Sequence, residues 1–205
     1  MRSPQSSILS LLELYDRTPA DKRDTALLHE RIRRYARQGL ALSEDFLQLA
    51  RAEAGGLDRQ LHDLHGLLDE AADTVWSLAQ ERQIRILLPE PNEEAECSVD
   101  PALVMRALAL LLAGAVEFAD DGAQIRCVIA RSGATDDAWL ISLRAPAPEL
   151  AEDIGPAVEF ARVAVQAHGG TFTVASTAIA DSQPGTEFTI RLPRDGNRAD
   201  SATND

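Results

Sequence analysis

Aromatic side chains are scarce in this chain, since Phe, Trp and Tyr make up 4% of its 205 residues. The hydrophobic content is nevertheless 45%, enough for a globular core, and it is mostly leucine and alanine. Leucine and alanine favour helices, whereas aromatic and β-branched residues favour strands. The composition therefore favours helices with aliphatic seams over an all-β sandwich, in one large domain or two small ones.

Positive charge is also in short supply. The chain has 20 Lys and Arg residues against 33 Asp and Glu residues, which gives a formal net charge of −13 at pH 7. Nucleic acids and anionic lipid surfaces attract basic proteins. We therefore expect no nucleic-acid partner and no direct membrane contact, and we expect the partners to be proteins.

Cysteine is limited to Cys97 and Cys127. Two cysteines at this spacing make neither a zinc pattern nor a disulfide framework, so we expect free thiols in a reducing cytosol. No apolar run is expected to reach the ~18–20 residues of a membrane span, and no signal-peptide pattern follows Met1. These absences predict a soluble, cytoplasmic chain, which is either a protein of its own or the cytoplasmic part of a larger membrane-bound protein.

Two amphipathic stretches make up an N-terminal part, residues 1–56. Apolar positions three and four residues apart predict one helix over residues 4–15 and a second from Pro19 to about Ala52. Thr18 is the expected N-cap of the second helix, and Gly55-Gly56 is its expected stop.

Two helices with a short connection predict an antiparallel hairpin. A lone hairpin cannot cover both of its apolar faces. Pairing of two copies into a dimeric four-helix bundle is the simplest remedy. Packing of the hairpin on the second part of the same chain is the alternative.

The second part, residues 57–193, alternates helical and strand patterns. Its predicted elements are a helix over 66–82, a strand over 84–88, an acidic loop over 89–98, a helix from Asp100-Pro101 to about 119, strands over 124–130 and 139–143, a helix over 155–168, and strands over 171–175 and 186–192 joined by a turn with Pro184-Gly185. This order predicts an α+β fold, one mixed sheet with helices on one face. The polar residues 194–205 are predicted to form a disordered tail.

Five segments in order carry a family resemblance. They are Arg2-Ser3-Pro4, Leu49 to Gly55, Asp100 to Leu108, Ala167 to Gly170, and Gly185 to Phe188. Together they resemble the catalytic core of a sensor histidine kinase. The resemblance implies a dimerisation and histidine-phosphotransfer hairpin, followed by a Bergerat-type ATPase sandwich of the histidine kinase/Hsp90-like type, and a response-regulator receiver domain as partner.

The resemblance places the phosphoacceptor histidine two positions before Met1, so that Arg2, Ser3 and Pro4 are what remains of its motif. His29 is followed by Glu30 and mimics an acceptor with its acid, but it lies on the wrong helix, so we expect a solvated or interface histidine.

The other histidines are His62, His65 and His168. His62 and His65, at a spacing of three, could form half of a metal site, but no third ligand is evident and no metal is expected. His168 is expected to cap the end of a helix.

The resemblance also locates a nucleotide pocket. At most of its positions, the polar side chain that the family uses to bind the nucleotide is replaced in this sequence. Gly114 stands where the family has a Mg²⁺-binding Asn, Glu117 where a lysine is common, and Ala145 where an Asp accepts from adenine. Ala147 and Glu149 replace two glycines of the same motif.

The lid of the pocket is short in this sequence, because only residues 149–154 separate the adenine motif from the next helix. The phosphate-binding turn retains Gly155 but has Ala157 for its second glycine. The final motif retains Gly185 and Thr186, which also suit a turn.

We therefore expect a degenerate ATP pocket with no bound cofactor, neither ATP nor Mg²⁺. Three functions follow. The first is a degenerate histidine-kinase core that dimerises and docks a response regulator, relaying phosphate only if a histidine precedes Met1. The alternatives are an active histidine kinase fragment with a cryptic pocket and a non-catalytic dimeric scaffold.

Overall fold

In the computed structural model the chain divides into two compact units, Met1–Ala50 and Arg51–Asp205. The residues that the structure describes are 4–17, 19, 25–91, 94–133, 137–147, 150, 154–179 and 183–194. The predicted N-cap Thr18 lies outside these residues, as do positions 195–205 of the predicted tail.

The first unit consists of helix α1 (Pro4–Arg17) and most of helix α2 (Thr25–Glu53). The hydroxyls of Tyr15 and Thr25 are 2.6 Å apart and share a hydrogen bond. Several large apolar side chains of this unit are exposed. They are Leu9, Leu12, Leu14, Leu27, Leu40, Phe46 and Leu47.

Helix α2 ends at the predicted glycine stop. The N–H of Gly55 donates to the carbonyl of Ala52 at 3.0 Å, and that of Gly56 donates to Arg51 at 2.9 Å. Gly55 has a φ of 78°, which an L side chain adopts only with strain, so glycine is required there.

The second unit contains three helices and two sheets in its described residues. In chain order its elements are β1 (Gln60–Asp63), α3 (Leu64–Glu81), β2 (Arg85–Leu87), β3 (Glu96–Val99), α4 (Pro101–Phe118), β4 (Gln124–Arg131), β5 (Ala138–Ala145), α5 (Gly155–Ala167), β6 (Thr171–Ile179) and β7 (Gln183–Pro193).

The larger sheet has the strand order β2-β4-β5-β7-β6. Strands β2 and β4 are parallel and the other neighbours are antiparallel. Helix α4 packs between α3 and α5. Helix α3 contacts strand β2 of the sheet, and helix α5 contacts strands β6 and β7. The α+β fold predicted from the sequence is confirmed.

Alternation along the strands explains which side of the sheet is buried. Trp139, Ile141 and Leu143 of β5 are buried, as are Phe188 and Ile190 of β7. Side chains two residues apart point to the same face, so these residues line one apolar face. The core lies between this face and the helices.

Helix α4 begins as predicted, with Asp100 as its N-cap and Pro101 in its first turn. By length and composition alone it is apolar enough to cross a membrane, so the expectation that no run reaches that length was wrong. The helix is this apolar because α3 and α5 cover its two flanks, and more than half of it is buried in the protein.

Two further expectations need correction. The predicted loop 89–98 contains the start of β3, which pairs with the unpredicted β1 in a small sheet, with His62 opposite Cys97. Pro184 and Gly185 do not form the turn, because they lie in β7 opposite Ala178 and Thr177. The strands extend beyond the predicted ends because backbone pairing continues where the apolar alternation stops.

Arg194 was predicted to begin the tail. Its N–H donates to the carbonyl of Asp137 at 3.0 Å, and its own carbonyl accepts from Ser98. These bonds attach Arg194 to the region where β5 begins and to β3.

Candidate functional site

The position predicted to have lost a Mg²⁺ ligand, Gly114, lies in the C-terminal half of α4 and is buried. A Cβ atom placed on Gly114 would lie 2.6 Å from Cγ2 of Ile154 and 2.9 Å from its Cδ1. Carbon atoms do not approach so closely without a shift of one of them. The side chain of Ile154 therefore fills the space in front of Gly114, and only glycine fits there as the two now stand.

Ile154 is held in a buried position immediately before α5. It is 7% exposed, and Leu150, one turn earlier, is fully buried. The N–H of Ile154 donates to the carbonyl of Leu150 at 3.0 Å. An apolar pair from the short segment between β5 and α5 is thus anchored in the core.

The start of α5 is the predicted phosphate-binding turn, and it begins at Gly155. Pro156 has no N–H to offer a ligand. The N–H of Ala157 donates to the carbonyl of Ile154 at 2.8 Å, and that of Val158 donates to the same carbonyl at 3.1 Å. Of the three residues after Gly155, one has no N–H and the other two use theirs within the chain, so none of the three offers a free donor to a phosphate.

The predicted adenine-contacting position, Ala145, is the last residue of β5 and lies opposite Thr186 of β7. Ala145, Ala147 and Thr186 are all buried. The hydroxyl of Thr186 donates to the carbonyl of Ala147 at 2.8 Å, and the N–H of Ala147 donates to the carbonyl of Ala145 at 2.8 Å. The Thr186 hydroxyl and the backbone groups of Ala145 and Ala147 are therefore hydrogen-bonded to one another, and none of these three residues directs a polar side chain toward a ligand.

Glu117 lies one turn beyond Gly114 on α4 and is exposed. Its backbone carbonyl, and that of Val116, accept hydrogen bonds from the guanidinium of Arg82 at 2.5 and 2.6 Å. This arrangement ties the end of α3 to the end of α4, with the Glu117 side chain at the surface.

The remaining predicted positions are distributed as follows. Arg2, Ser3 and Glu149 lie outside the described residues, and Pro4 is the first residue of α1. His29 is exposed on α2, as expected.

The histidine pair does not share a helix face as supposed, because His62 lies in β1 and His65 in the first turn of α3. No group of three metal-ligating side chains occurs in the part of the chain that the structure describes.

The two cysteines are free, as predicted, and the structure shows that both are buried. Burial raises the pKa of the Cys127 thiol to about 12, so the thiol stays protonated and unreactive at neutral pH. Cys97 donates a weak hydrogen bond from Sγ to the carbonyl of Pro193 at 3.2 Å.

His168 is the C-cap of α5, as predicted, but its side chain has a second role that the sequence did not indicate. It is 1% exposed. Its Nδ1 donates to the carbonyl of Ala164 at 2.6 Å, and its Nε2 accepts from the N–H of Asp100 at 2.8 Å. Burial, the largest influence, lowers the pKa of His168 below its usual value.

Sequence reasoning also missed Ile154. A glycine in the middle of an aliphatic helix was the one available signal, because such a glycine often marks the close approach of another group. The identity of that group could not be read, because Ile154 is 40 residues away in the sequence.

No family model matches the chain. The chain is 28% identical over 151 residues to the sensor histidine kinase MtrB of Mycobacterium tuberculosis, an alignment that covers 70% of this chain and 25% of MtrB. The chain thus spans about a quarter of the length of the curated relatives that it matches.

Solved structures agree in fold. The Acinetobacter baumannii histidine kinase AdeS superposes with a TM-score of 0.71 at 16% identity, over 94% of this chain and 96% of that one. The histidine kinase ThkA, solved in complex with the response regulator protein TrrA, gives 0.66 at 16% identity, over 96% of this chain and 59% of that one. Sequence relationship and fold together identify the chain as a relative of the sensor histidine kinase catalytic core.

Proposed function

We propose that this chain is a two-component signalling core that works without binding ATP. It dimerises through α1 and α2 and docks the receiver domain of a response regulator. It transfers phosphate only if an acceptor histidine precedes Met1 in the complete protein.

The contact between Ile154 and Gly114 carries the proposal. The family resemblance puts the Mg²⁺-binding side chain at Gly114, where the nearest atoms are now the methyl groups of Ile154. Mg²⁺ requires oxygen ligands, and a hydrocarbon contact supplies none. Entry of a nucleotide would have to expel a buried isoleucine, at a cost of about 1.5–3 kcal/mol in lost burial.

The other pocket positions support the same conclusion independently. The side chain of Ala145 has no acceptor for the adenine amino group, and a hydrogen bond to a charged group contributes about 1.5–3 kcal/mol. Each such loss weakens binding by roughly ten- to a hundredfold. At the start of α5, Pro156 and Ala157 offer a phosphate no free N–H.

The first unit supports the dimer. Six of its leucines, named above, and Phe46 are exposed in a single copy, with Phe46 at 72%. Apolar side chains spread along two helices at this density are typical of a helix-bundle interface. A structural neighbour, ThkA, was solved with a response regulator, which supports a receiver domain as the docking partner.

An active sensor histidine kinase remains the second candidate, because the sequence relatives are named as such kinases. In that case the Ile154 side chain would have to move when ATP binds. A third candidate, a dimeric scaffold that carries no phosphate, differs from the first only in phosphotransfer. For all three we propose a cytoplasmic location, since the catalytic part of a sensor kinase acts there.

Isothermal titration with Mg-ATP tests the proposal. We expect no saturable heat from micromolar to low-millimolar ATP, while an ATP-binding histidine kinase core gives a normal isotherm in the same buffer. Thermal unfolding of the sample establishes that the protein is folded. Saturable heat in this range would overturn the proposal in favour of the active kinase.

Incubation with a phosphorylated receiver domain then separates the other two candidates. A complete protein with an upstream histidine is expected to acquire acid-labile phosphate. The present 205-residue chain is expected to acquire none. Labelling of the present chain would make the exposed His29 the candidate acceptor and would contradict the expectation that His29 carries no phosphate.

A further inference from the structure

The connector that follows α2, residues 57–59, is tied into the second unit by a compact polar cluster. The N–H of Asp58 donates to Oδ2 of Asp100 at 3.1 Å. The guanidinium of Arg59 donates to the carbonyls of Ser98 and Ala167, at 3.4 and 3.2 Å. The connector is therefore held at the start of α4 and at the end of α5.

Asp100 is the centre of the cluster. Its Oδ1 accepts from the N–H of Leu103 and caps α4, while its Oδ2 accepts from the connector. Its own N–H donates to Nε2 of His168 at 2.8 Å. Three segments that are distant in the sequence thus meet at one residue.

The hydrogen bonds fix the protonation state of His168. A carbonyl can only accept, so Nδ1 must carry the proton that it donates to Ala164. A backbone N–H can only donate, so Nε2 must be the unprotonated acceptor for Asp100. The ring is therefore neutral, and a second proton on Nε2 would face the Asp100 N–H donor to donor.

We propose that His168 is a pH-sensitive latch, which holds the connector to the ends of α4 and α5 when it is neutral and releases it when it is protonated. Protonation turns the Nε2 acceptor into a donor and breaks the bond to Asp100. Because Asp100 also holds Asp58 and Leu103, the connector and the first turn of α4 loosen together.

The charged groups around the ring act in opposite directions. The Arg59 guanidinium on the connector disfavours an imidazolium, and the Asp100 carboxylate before α4 favours one. Burial lowers the pKa most, and the hydrogen bond to Ala164 raises it by less. The net result is that the pKa of His168 in the folded protein lies below the usual value.

The sign of the pH dependence follows from that direction. The group's pKa is lower in the folded state than in the open state, so the latch contributes fully above the open-state pKa, ~6.5. Its contribution falls as the pH drops from there toward the folded-state pKa. Across that window, protection by the latch declines by at most about tenfold per pH unit.

Amide hydrogen exchange resolved by NMR is the test, with rates corrected for the intrinsic effect of pH. The amides of Asp58, Asp100 and Leu103 report the latch. We expect their protection to fall severalfold between pH 7.5 and pH 5.5. Amides in the centre of β5 should keep their protection over the same pH range.

Two variants assign the effect. In His168→Gln the side-chain amide can donate to Ala164 and accept from Asp100, but it does not titrate, so protection should no longer depend on pH. A triple variant, His29→Gln, His62→Gln and His65→Gln, leaves His168 as the only histidine and should behave as the parent protein does.

Unchanged protection of the three amides over this pH range in the parent protein would overturn the proposal. The proposal would also be overturned if the protection of these amides declined equally in His168→Gln, or if the decline were absent in the triple variant. If His168→Gln does not fold, the triple variant and the His168 ring titration decide. An amide decline that begins above the pH of the ring titration and ends where the ring titrates supports the latch, and a decline that begins only below the ring titration overturns it.

Discussion

The two ends of α4 make opposite kinds of contact with the residues that pack against them. At the N-terminal end, the buried His168 and the half-buried Asp100 are joined by a hydrogen bond, and each hydrogen-bonding atom discussed above has a partner. Toward the C-terminal end, where the family resemblance predicts a Mg²⁺ ligand, Gly114 meets the hydrocarbon side chain of Ile154. The contacts made by Asp100 are polar, whereas the contact between Gly114 and Ile154 is apolar.

This difference teaches which polar groups the fold itself requires. A buried polar group without a partner is costly, so polar chemistry persists in the absence of a ligand where the chain supplies its own partners. Polar groups that serve only a nucleotide have no such partners, and an apolar contact is the more stable filling. The predictions below test this comparison along α4, in order of decreasing effect.

The middle of α4 should be the most sensitive position. Leu111 is fully buried between the two ends. Leu111→Ala removes apolar contact and leaves a cavity, so we expect a loss of about 2–5 kcal/mol in the free energy of unfolding, measured by urea denaturation. A loss below 1 kcal/mol would show that the apolar core between α4 and its neighbouring helices is not what stabilises the second unit.

The Asn that the family resemblance places at position 114 should destabilise this chain. Gly114→Asn drives a side chain into Ile154, and we expect a loss of about 1–3 kcal/mol from overpacking, with no gain in Mg-ATP binding. The matched double variant, Gly114→Asn with Ile154→Ala, should lose less than the sum of the single variants, by about 1 kcal/mol or more. Additive losses would contradict the direct contact.

The Asp100 end should depend on hydrogen bonds rather than on volume. Asp100→Ala leaves the N–H groups of Leu103 and Asp58 without their acceptor, and we expect a loss of about 1–2 kcal/mol in thermal or urea unfolding. Asp100→Asn keeps a carbonyl oxygen and should retain much of that stability. Equal losses in the two variants would assign the effect to charge instead of capping.

The smallest effect is expected at Glu117. Its side chain is exposed, so Glu117→Gln should change the free energy of unfolding by less than about 0.5 kcal/mol. Removing this negative charge should also leave Mg-ATP binding undetectable in titration calorimetry, because the blockage is at Ile154. Binding that appears in this variant alone would mean that electrostatic repulsion had been the obstacle.

Sequence reasoning recovered elements with strong local signals. Asp100-Pro101 marks the start of α4 through a cap and a first-turn proline, and Gly55 marks the end of α2. The strands β1 and β3 escaped notice because each is only four residues long, and β1 has little alternation. Leu61 of β1, for example, is 65% exposed.

The candidate site was predictable only in part. Which positions lack polar chemistry can be read directly, because Gly114 and Ala145 have no ligand atoms. What fills the space cannot be read, because the contact of Ile154 with Gly114 and that of His168 with Asp100 join residues far apart in the chain. Neither contact leaves a periodic pattern.

The methyl groups of Ile154 report most directly on the central claim, since they occupy the space in front of Gly114. With isoleucine methyl groups labelled, the NMR spectrum is recorded during titration with Mg-ATP into the millimolar range. We predict that the Ile154 signal does not move. A saturable shift of that signal, as the side chain leaves Gly114, would contradict a core that works without nucleotide.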